Sequence, residues 1–360
     1  MSLIVNGHNV LVIILVTFLT SLILVPIVKK IAIHINAIDI PNERKIHKKP
    51  VARLGGLAIF LSFMLGYMLY ARESTIMLSV LMGIFLIVIC GIVDDINPVK
   101  ARYKFIVQLV AASTVVLYGK LTLNELSIFG AYIYFPAPWN SIITIIFISA
   151  IMNAINLIDG IDGLAAGIST IYFLTIFIIA FILNQMGGLD IILSLIMAGA
   201  TLGFLIHNFP PASIFMGDTG SLFLGYIISI IALLGFKAAT LTSIIIPICI
   251  LAIPIFDTLA AIIRRILKGE NIGKPDKEHL HHQLLKMKFS PRTSILIIYF
   301  ITILFSALSI YIAIGNQKQA VIIYVIIAIF LLFIVMKTDI LFKHKNNLTI
   351  DIKKSKNKKN

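Results

Sequence analysis

About eleven apolar runs of near-membrane length follow one another along this chain, and they decide what it can fold into. They lie at roughly 10–28, 54–71, 76–93, 105–119, 139–157, 164–184, 190–207, 219–236, 241–261, 294–314 and 319–337. Crossing a bilayer's hydrocarbon core takes about 20 apolar residues of helix. Lipid offers the backbone no hydrogen-bond partner, so each run must satisfy its own amides as a helix. The expectation is an all-α polytopic membrane protein. Hydrophobic residues make up 59% of the chain and charged residues 13%, about half the charge fraction of a soluble domain. The longest stretch between runs is about thirty residues, too short for a separate soluble domain. We therefore expect one transmembrane domain over 1–338 and a basic tail over 339–360.

The first run has nothing basic before it and Lys29 and Lys30 after it. A cleavable signal peptide has the opposite charge order, so the run reads as a retained helix with the N-terminus outside. Of the 30 Lys and Arg residues, all but Arg72, Lys120, Lys237 and Lys318 then fall in loops of one side. The positive-inside rule makes that side cytoplasmic and puts the C-terminus there too. The net charge of +14 is thereby a topology signal and implies no nucleic-acid partner. On the outer side, the alternation over Leu126–Phe135 about Gly130-Ala131 predicts a small extracellular β-hairpin. Cys90 and Cys249 both lie inside apolar runs and read as packing residues.

The polar residues that break this pattern all fall on the cytoplasmic side. Asn153-Ala-Ile-Asn156-Leu-Ile-Asp159-Gly-Ile-Asp162-Gly-Leu places two amides and two carboxylates at intervals of three. Asn153 and Asp162 would face opposite ways on one helix. They converge only if the helix ends near Leu157 and the chain turns, which Gly160 and Gly163 permit. The stretch reads as a cradle for a polar, phosphorylated ligand. The first inner loop holds Lys48, Lys49 and Arg53, which suit phosphate, and ends in Gly55-Gly56. Asp94-Asp95 follow an apolar run directly and repel each other unless a cation or a metal stands between them. Lys104 comes ten residues later.

Asn208, Phe215 and Gly217-Asp218-Thr-Gly-Ser221 form a fourth cluster. Asp218 suits a hard cation, at a helix start that favours anions. Gly217 and Gly220 would let the backbone approach a ligand. The fifth cluster is His279-Leu-His281-His282, with no cysteine near, so phosphate contact fits better than zinc. Asp257 is expected to pair with Arg264 or Arg265. An ion-coupled transporter would place its acids near the bilayer midplane; acids gathered at one face suit an enzyme that joins a soluble substrate to a lipid.

Taken together, Asp94-Asp95, Asn153 to Leu164, Phe215 to Leu222 and the His279–His282 element resemble the polyprenyl-phosphate N-acetylhexosamine-1-phosphate transferases, over nearly the whole chain and in the family's order. The resemblance implies eleven spans, magnesium (with manganese able to substitute), a UDP-N-acetylhexosamine donor and an undecaprenyl phosphate acceptor. It makes Asp218 the metal ligand and gives Asp94 and Asp95 to the acceptor phosphate. Lys48, Asn208, Phe215 and Asp162 would hold the nucleotide, with Arg53, Asn153 and Asn156 also binding substrate. Asp159, Lys104, His279, His281 and His282 join the catalytic set. The peptidoglycan branch, which builds on phospho-N-acetylmuramoyl-pentapeptide, carries a contiguous triple histidine and Thr-Met-Gly-Gly. This chain has His-Leu-His-His and Arg-Leu-Gly-Gly, and so is more similar to the N-acetylglucosamine branch that starts teichoic acids, O-antigens and common antigen. The expected location is the plasma membrane, as a multi-pass protein with its active site on the cytoplasmic face and a homodimer as one possible state.

Overall fold

The computed structural model of the chain describes residues 3–41, 50–72, 74–128, 131–237, 245–267, 269, 279–314 and 322. Strands β1 (Ile4–Val5) and β2 (His8–Asn9) pair antiparallel and lead into helix α1 (Val10–His34). Asn9 caps that helix by accepting the Leu11 amide at 2.8 Å. Then come β3 (Ile38–Asp39), β4 (Val51–Arg53), α2 (Gly55–Tyr70), α3 (Thr75–Ile96) and α4 (Ala101–Leu117). Strands β5 (Glu125–Ile128) and β6 (Ala131–Tyr134) pair antiparallel, with Leu126 opposite Ile133. The rest is α5 (Trp139–Ile158), α6 (Leu164–Ile182), α7 (Leu189–Asn208), β7 (Ile214–Phe215), α8 (Gly217–Lys237), α9 (Ile245–Ile250), α10 (Ala252–Leu267), α11 (Leu280–Lys286) and α12 (Pro291–Ile314).

Among the described residues, seven helices are long and apolar enough to cross a membrane: α1, α3, α5, α6, α7, α8 and α12. The chain is a multi-pass membrane protein. Helices α2 and α4, at 16 and 17 residues, reach about 25 Å at 1.5 Å per residue. The run expected as one span over 241–261 is divided from Ile245 onward. It breaks at Leu251 into α9 and α10, and α10 continues to Leu267. Pro254 has no N–H to give the Ile250 carbonyl, which removes the hydrogen bond that would carry one helix through. The run at 319–337 and the basic tail at 339–360 fall outside the described residues, Ile322 aside.

Helix α8 is the axis of the bundle. Its most apolar stretch is 94% buried, against 28% for α1, and it packs on α2, α3, α5 and α7. Lipid is as apolar as a leucine, so helices in it associate through small residues that let backbones approach. Gly225 of α8 sits against the Met152 backbone, and Gly199 and Gly203 of α7 sit against α1. At one end of the bundle a three-stranded sheet ties loops together. β3 pairs antiparallel with β4, and β4 pairs parallel with β7, placing Arg53 opposite Phe215. The Gly56 amide then donates to the Met216 carbonyl at 2.8 Å, fixing the start of α2 on the turn into α8.

Candidate active site

The site forms where α3 ends, α4 begins, α5 ends and α8 begins. Gly217, at φ +71°, makes the left-handed turn that starts α8. The new helix exposes N–H groups that need acceptors, and Asp95 supplies them. Its carboxylate accepts the Asp218 amide at 2.9 Å, the Thr219 amide at 3.1 Å and the Thr219 hydroxyl at 2.7 Å. Gly91, one turn earlier in α3, lets the helices come this close, since a Cβ there would meet Thr219 N at 2.6 Å. Asp95 is buried and the Arg53 guanidinium stands 3.5 Å from it.

Around this cap the charges interlock. Lys104 donates to Asp218 Oδ2 at 2.7 Å and lies 3.2 Å from Asp94 Oδ1. Asp94 also accepts the Val99 amide at 2.8 Å. Arg53 spans Asp39, Asp95 and Asp218 at 3.7, 3.5 and 3.9 Å. Oxygens of Asp94, Asp95 and Asp218 all lie within 4.8 Å of one another. That all-oxygen donor set fits a hard divalent cation. Asp95 already accepts three hydrogen bonds, so Asp94 and Asp218 have the freer lone pairs.

A cavity of about 980 Å³ opens beside this cluster. Arg53, Asn156, Asp159, Asp162, Asn208, Phe215, Asp218 and His282 line it. The turn between α5 and α6 forms its floor. Gly163, at φ +80°, caps α6 and donates its amide to Asn208 Oδ1 at 2.8 Å. Asn208 is buried and gives its amide hydrogens to the Ile214 carbonyl at 2.9 Å, while Asp162 accepts the Ala212 amide at 3.0 Å. Asn208 and Asp162 thus fix the walls through backbone contacts. Asn156 donates to Ser221 Oγ at 2.8 Å. Burial, then the negative charges of Asp218 and Asp95, hold the Asp159 carboxyl well above the usual carboxylate range, against the pull of Arg53.

The histidines stand in a row. His279 Nδ1 contacts Asp257 Oδ2 at 3.0 Å, and Asp257 Oδ1 accepts the Leu280 amide at 2.9 Å. His281 stacks on His279 with ring centroids 5.6 Å apart and lies 4.2 Å from His282. It is buried against Gly160, where a Cβ would come within 2.7 Å of its Nε2. Burial, with His282 alongside, lowers its imidazole to about 3, so it is neutral in the working range. His282 alone of the three borders the cavity.

The structure therefore brings most of the expected site residues together and separates a few. Asn153 is turned away and donates to Gln108 Oε1 at 2.6 Å between α5 and α4. Gly220 packs on the Gly56 backbone and serves helix contact, where an approach to ligand was expected. Lys48 lies outside the described residues. Asp257, expected beside Arg264 or Arg265, takes His279 and Leu280 as partners. Sequence reasoning gave no site role to Asp39, Gln108 or Arg292. Gln108 was legible as the residue one helical turn beyond Lys104, and Arg292 as a charge at the very start of an apolar run.

These features define a multi-pass membrane protein with an acid-lined cavity at one end of its bundle. Residues 77–236 match the model of glycosyl transferase family 4. A Bacillus subtilis (strain 168) protein named "Probable undecaprenyl-phosphate N-acetylglucosaminyl 1-phosphate transferase" is 46% identical over 332 residues, covering 91% of this chain and 90% of its own. A Mycolicibacterium smegmatis decaprenyl-phosphate N-acetylglucosaminephosphotransferase is 34% identical over 76% of this chain and 74% of its own. A Salmonella typhi undecaprenyl-phosphate alpha-N-acetylglucosaminyl 1-phosphate transferase is 30% identical over 78% of each. The chain belongs to glycosyl transferase family 4.

Proposed function

We propose that this chain transfers N-acetylglucosamine 1-phosphate from UDP-N-acetylglucosamine to undecaprenyl phosphate, on the cytoplasmic face of the plasma membrane. The products are undecaprenyl-pyrophosphoryl-N-acetylglucosamine and UMP. The 46% identity to the Bacillus subtilis relative, over nine-tenths of both chains, is the observation that carries this reading. The site supports it. Acids from α3, α5 and α8 meet at helix ends on one side of the bundle, beside a cavity with room for a nucleotide sugar. A transporter's midplane site would need them mid-helix. The distribution of Lys and Arg supports the cytoplasmic side.

A phosphate oxygen of the acceptor attacks the sugar-bearing phosphorus in line, and the bond to the UMP oxygen breaks. The acceptor's second pKa is near 6, so the attacking oxygen is already largely deprotonated at pH 7 and needs little help from a base. Positioning and charge neutralisation supply most of the rate. Asp94 and Asp218, with Asp95 behind them, would hold magnesium, which supplies Lewis acidity when bound. Lys104, set by Asp94 and Asp218, and Arg53, set by Asp39 and Asp95, offset the gathered phosphate charge. Asp159 lines the same cavity beside these groups.

The deciding experiment incubates purified protein with undecaprenyl phosphate, magnesium and a panel of nucleotide sugars, and weighs the lipid product. A product heavier than the acceptor by N-acetylglucosamine phosphate, formed only with metal, is expected. A product from another donor in the panel, or none, overturns the assignment.

A further inference from the structure

Charge on the cavity wall is unevenly compensated. Two guanidinium groups, Arg53 and Arg292, border the cavity among the described residues. Arg53 is spent on three carboxylates. Arg292 makes one polar contact, from Nε to the Pro210 carbonyl at 2.8 Å. Its two terminal nitrogens have no partner among the described residues, although Asp39, Asp159, Asp162 and Asp218 border the same cavity. A cation left unpaired beside four acids is placed for something other than holding the fold.

We propose that Arg292 is a phosphate-binding residue of the donor site, gripping the diphosphate of the nucleotide sugar through its two terminal nitrogens. The assignment rests on the donor being a nucleoside diphosphate sugar, as proposed above. The side chain is built for the task in three ways. Its Nε is fastened to Pro210, in a loop itself pinned where Asn208 holds Gly163 and Asp162 holds the Ala212 amide. That fixes the plane of the fork, and a guanidinium fork matches two phosphate oxygens at once. Arg292 is also the second residue of the 24-residue helix α12, whose N-terminal end carries partial positive charge that favours an anion. The helix start is held in turn, with Ser290 Oγ accepting the Thr293 amide at 3.1 Å. The acid cluster would hold a metal on one side of the donor, and Arg292 grips the diphosphate from the other.

The test measures the affinity of the full-length protein, in lipid nanodiscs at fixed magnesium, for uridine, UDP, UDP-N-acetylglucosamine and inorganic pyrophosphate. Arg292→Gln should weaken UDP and pyrophosphate by about ten- to a hundredfold and leave uridine within about twofold. Arg292→Lys, which keeps the charge and loses the fork, should fall between; it also carries the test should the Gln variant fail to fold. Equal weakening of uridine and UDP would show a general distortion of the cavity and overturn the proposal. So would unchanged UDP affinity. A wild-type protein that binds pyrophosphate through Arg292 but no uridine compound would overturn the donor reading and leave the anion site standing.

Discussion

Asp95 is the residue whose replacement separates architecture from chemistry most clearly. Its side chain is wholly buried and serves as the N-cap of the most buried helix of the bundle. Replacement by alanine leaves the Asp218 and Thr219 amides and the Thr219 hydroxyl without their acceptor. Each unsatisfied buried group costs about 1–3 kcal/mol. Two amides alone therefore destabilise the α3–α8 contact by about 2–6 kcal/mol. Asparagine keeps one acceptor oxygen, so Asp95→Asn should lose about half of that, or about 1–3 kcal/mol. The expected order of thermal stability in detergent is wild type, then Asn, then Ala, with transfer activity falling in the same order. Asp94→Asn is the comparison. Asp94 accepts one backbone amide, which an asparagine oxygen can still take, so that variant should melt near wild type and lose turnover. An Asp95→Ala protein that melts like wild type while inactive would falsify the capping argument and return Asp95 to the acceptor-phosphate role that the family resemblance implies.

Asp218→Asn should insert and melt near wild type, since Asp95 caps α8 and the Asp218 partners Lys104 and Arg53 keep Asp94 and Asp95. It should lose nearly all transfer across any magnesium concentration, and wild-type-like turnover would remove Asp218 from the metal site. His281, lowered to about 3 in the fold, stays neutral while the unfolded chain takes up a proton near 6.5. Stability from this group is therefore full above pH 6.5 and declines as pH falls toward 3, by up to about 1.4 kcal/mol per pH unit. Thermal midpoints compared from pH 8 to 5 should fall less steeply in His281→Gln than in wild type; parallel curves would contradict the shift. Gly91→Ala puts a Cβ 2.6 Å from Thr219 N and 3.0 Å from the Asp218 carbonyl carbon, a backbone overlap worth about 1–3 kcal/mol. Turnover should drop with stability there, while Gly187→Ala, with nothing within 4 Å, should match wild type. Equal behaviour of the two variants would refute the close-packing account.

Much of this site was legible in one dimension because its residues are misfits. A carboxylate or an amide inside an apolar run is costly, so Asp94, Asp95, Asn156, Asp159 and Asp218 stand out against their neighbours. Their clustering at span ends follows from the same cost. What did not show was which acid does what. Asp94 and Asp95 are adjacent and chemically identical. Only the approach of α8, made possible by Gly91 and Gly217, turns one to the helix cap and the other to Lys104. Asn153 looked like Asn156 for a similar reason: three residues of helix separate a group that faces Gln108 from one on the cavity wall. The division of the ninth run was hidden because hydropathy sees Pro254 as one more apolar residue. Arg292 was masked by the rule that explained all its fellow cations, since every basic residue on that side already had a topological reason to be there.

The parallel pairing of β4 with β7 has a consequence in time. Asp95 leaves the ribosome long before the amides it caps, since Asp218 follows it by 123 residues. At about 5–20 residues per second, that interval is about 6–25 seconds. For that interval two adjacent carboxylates wait at the end of α3 with no helix start to cap, and β4 has no parallel neighbour. The nascent chain can insert its early helices, but it holds nothing that resembles a catalytic centre until α8 enters among them. Assembly of the bundle and arrival of activity are in this protein a single late event.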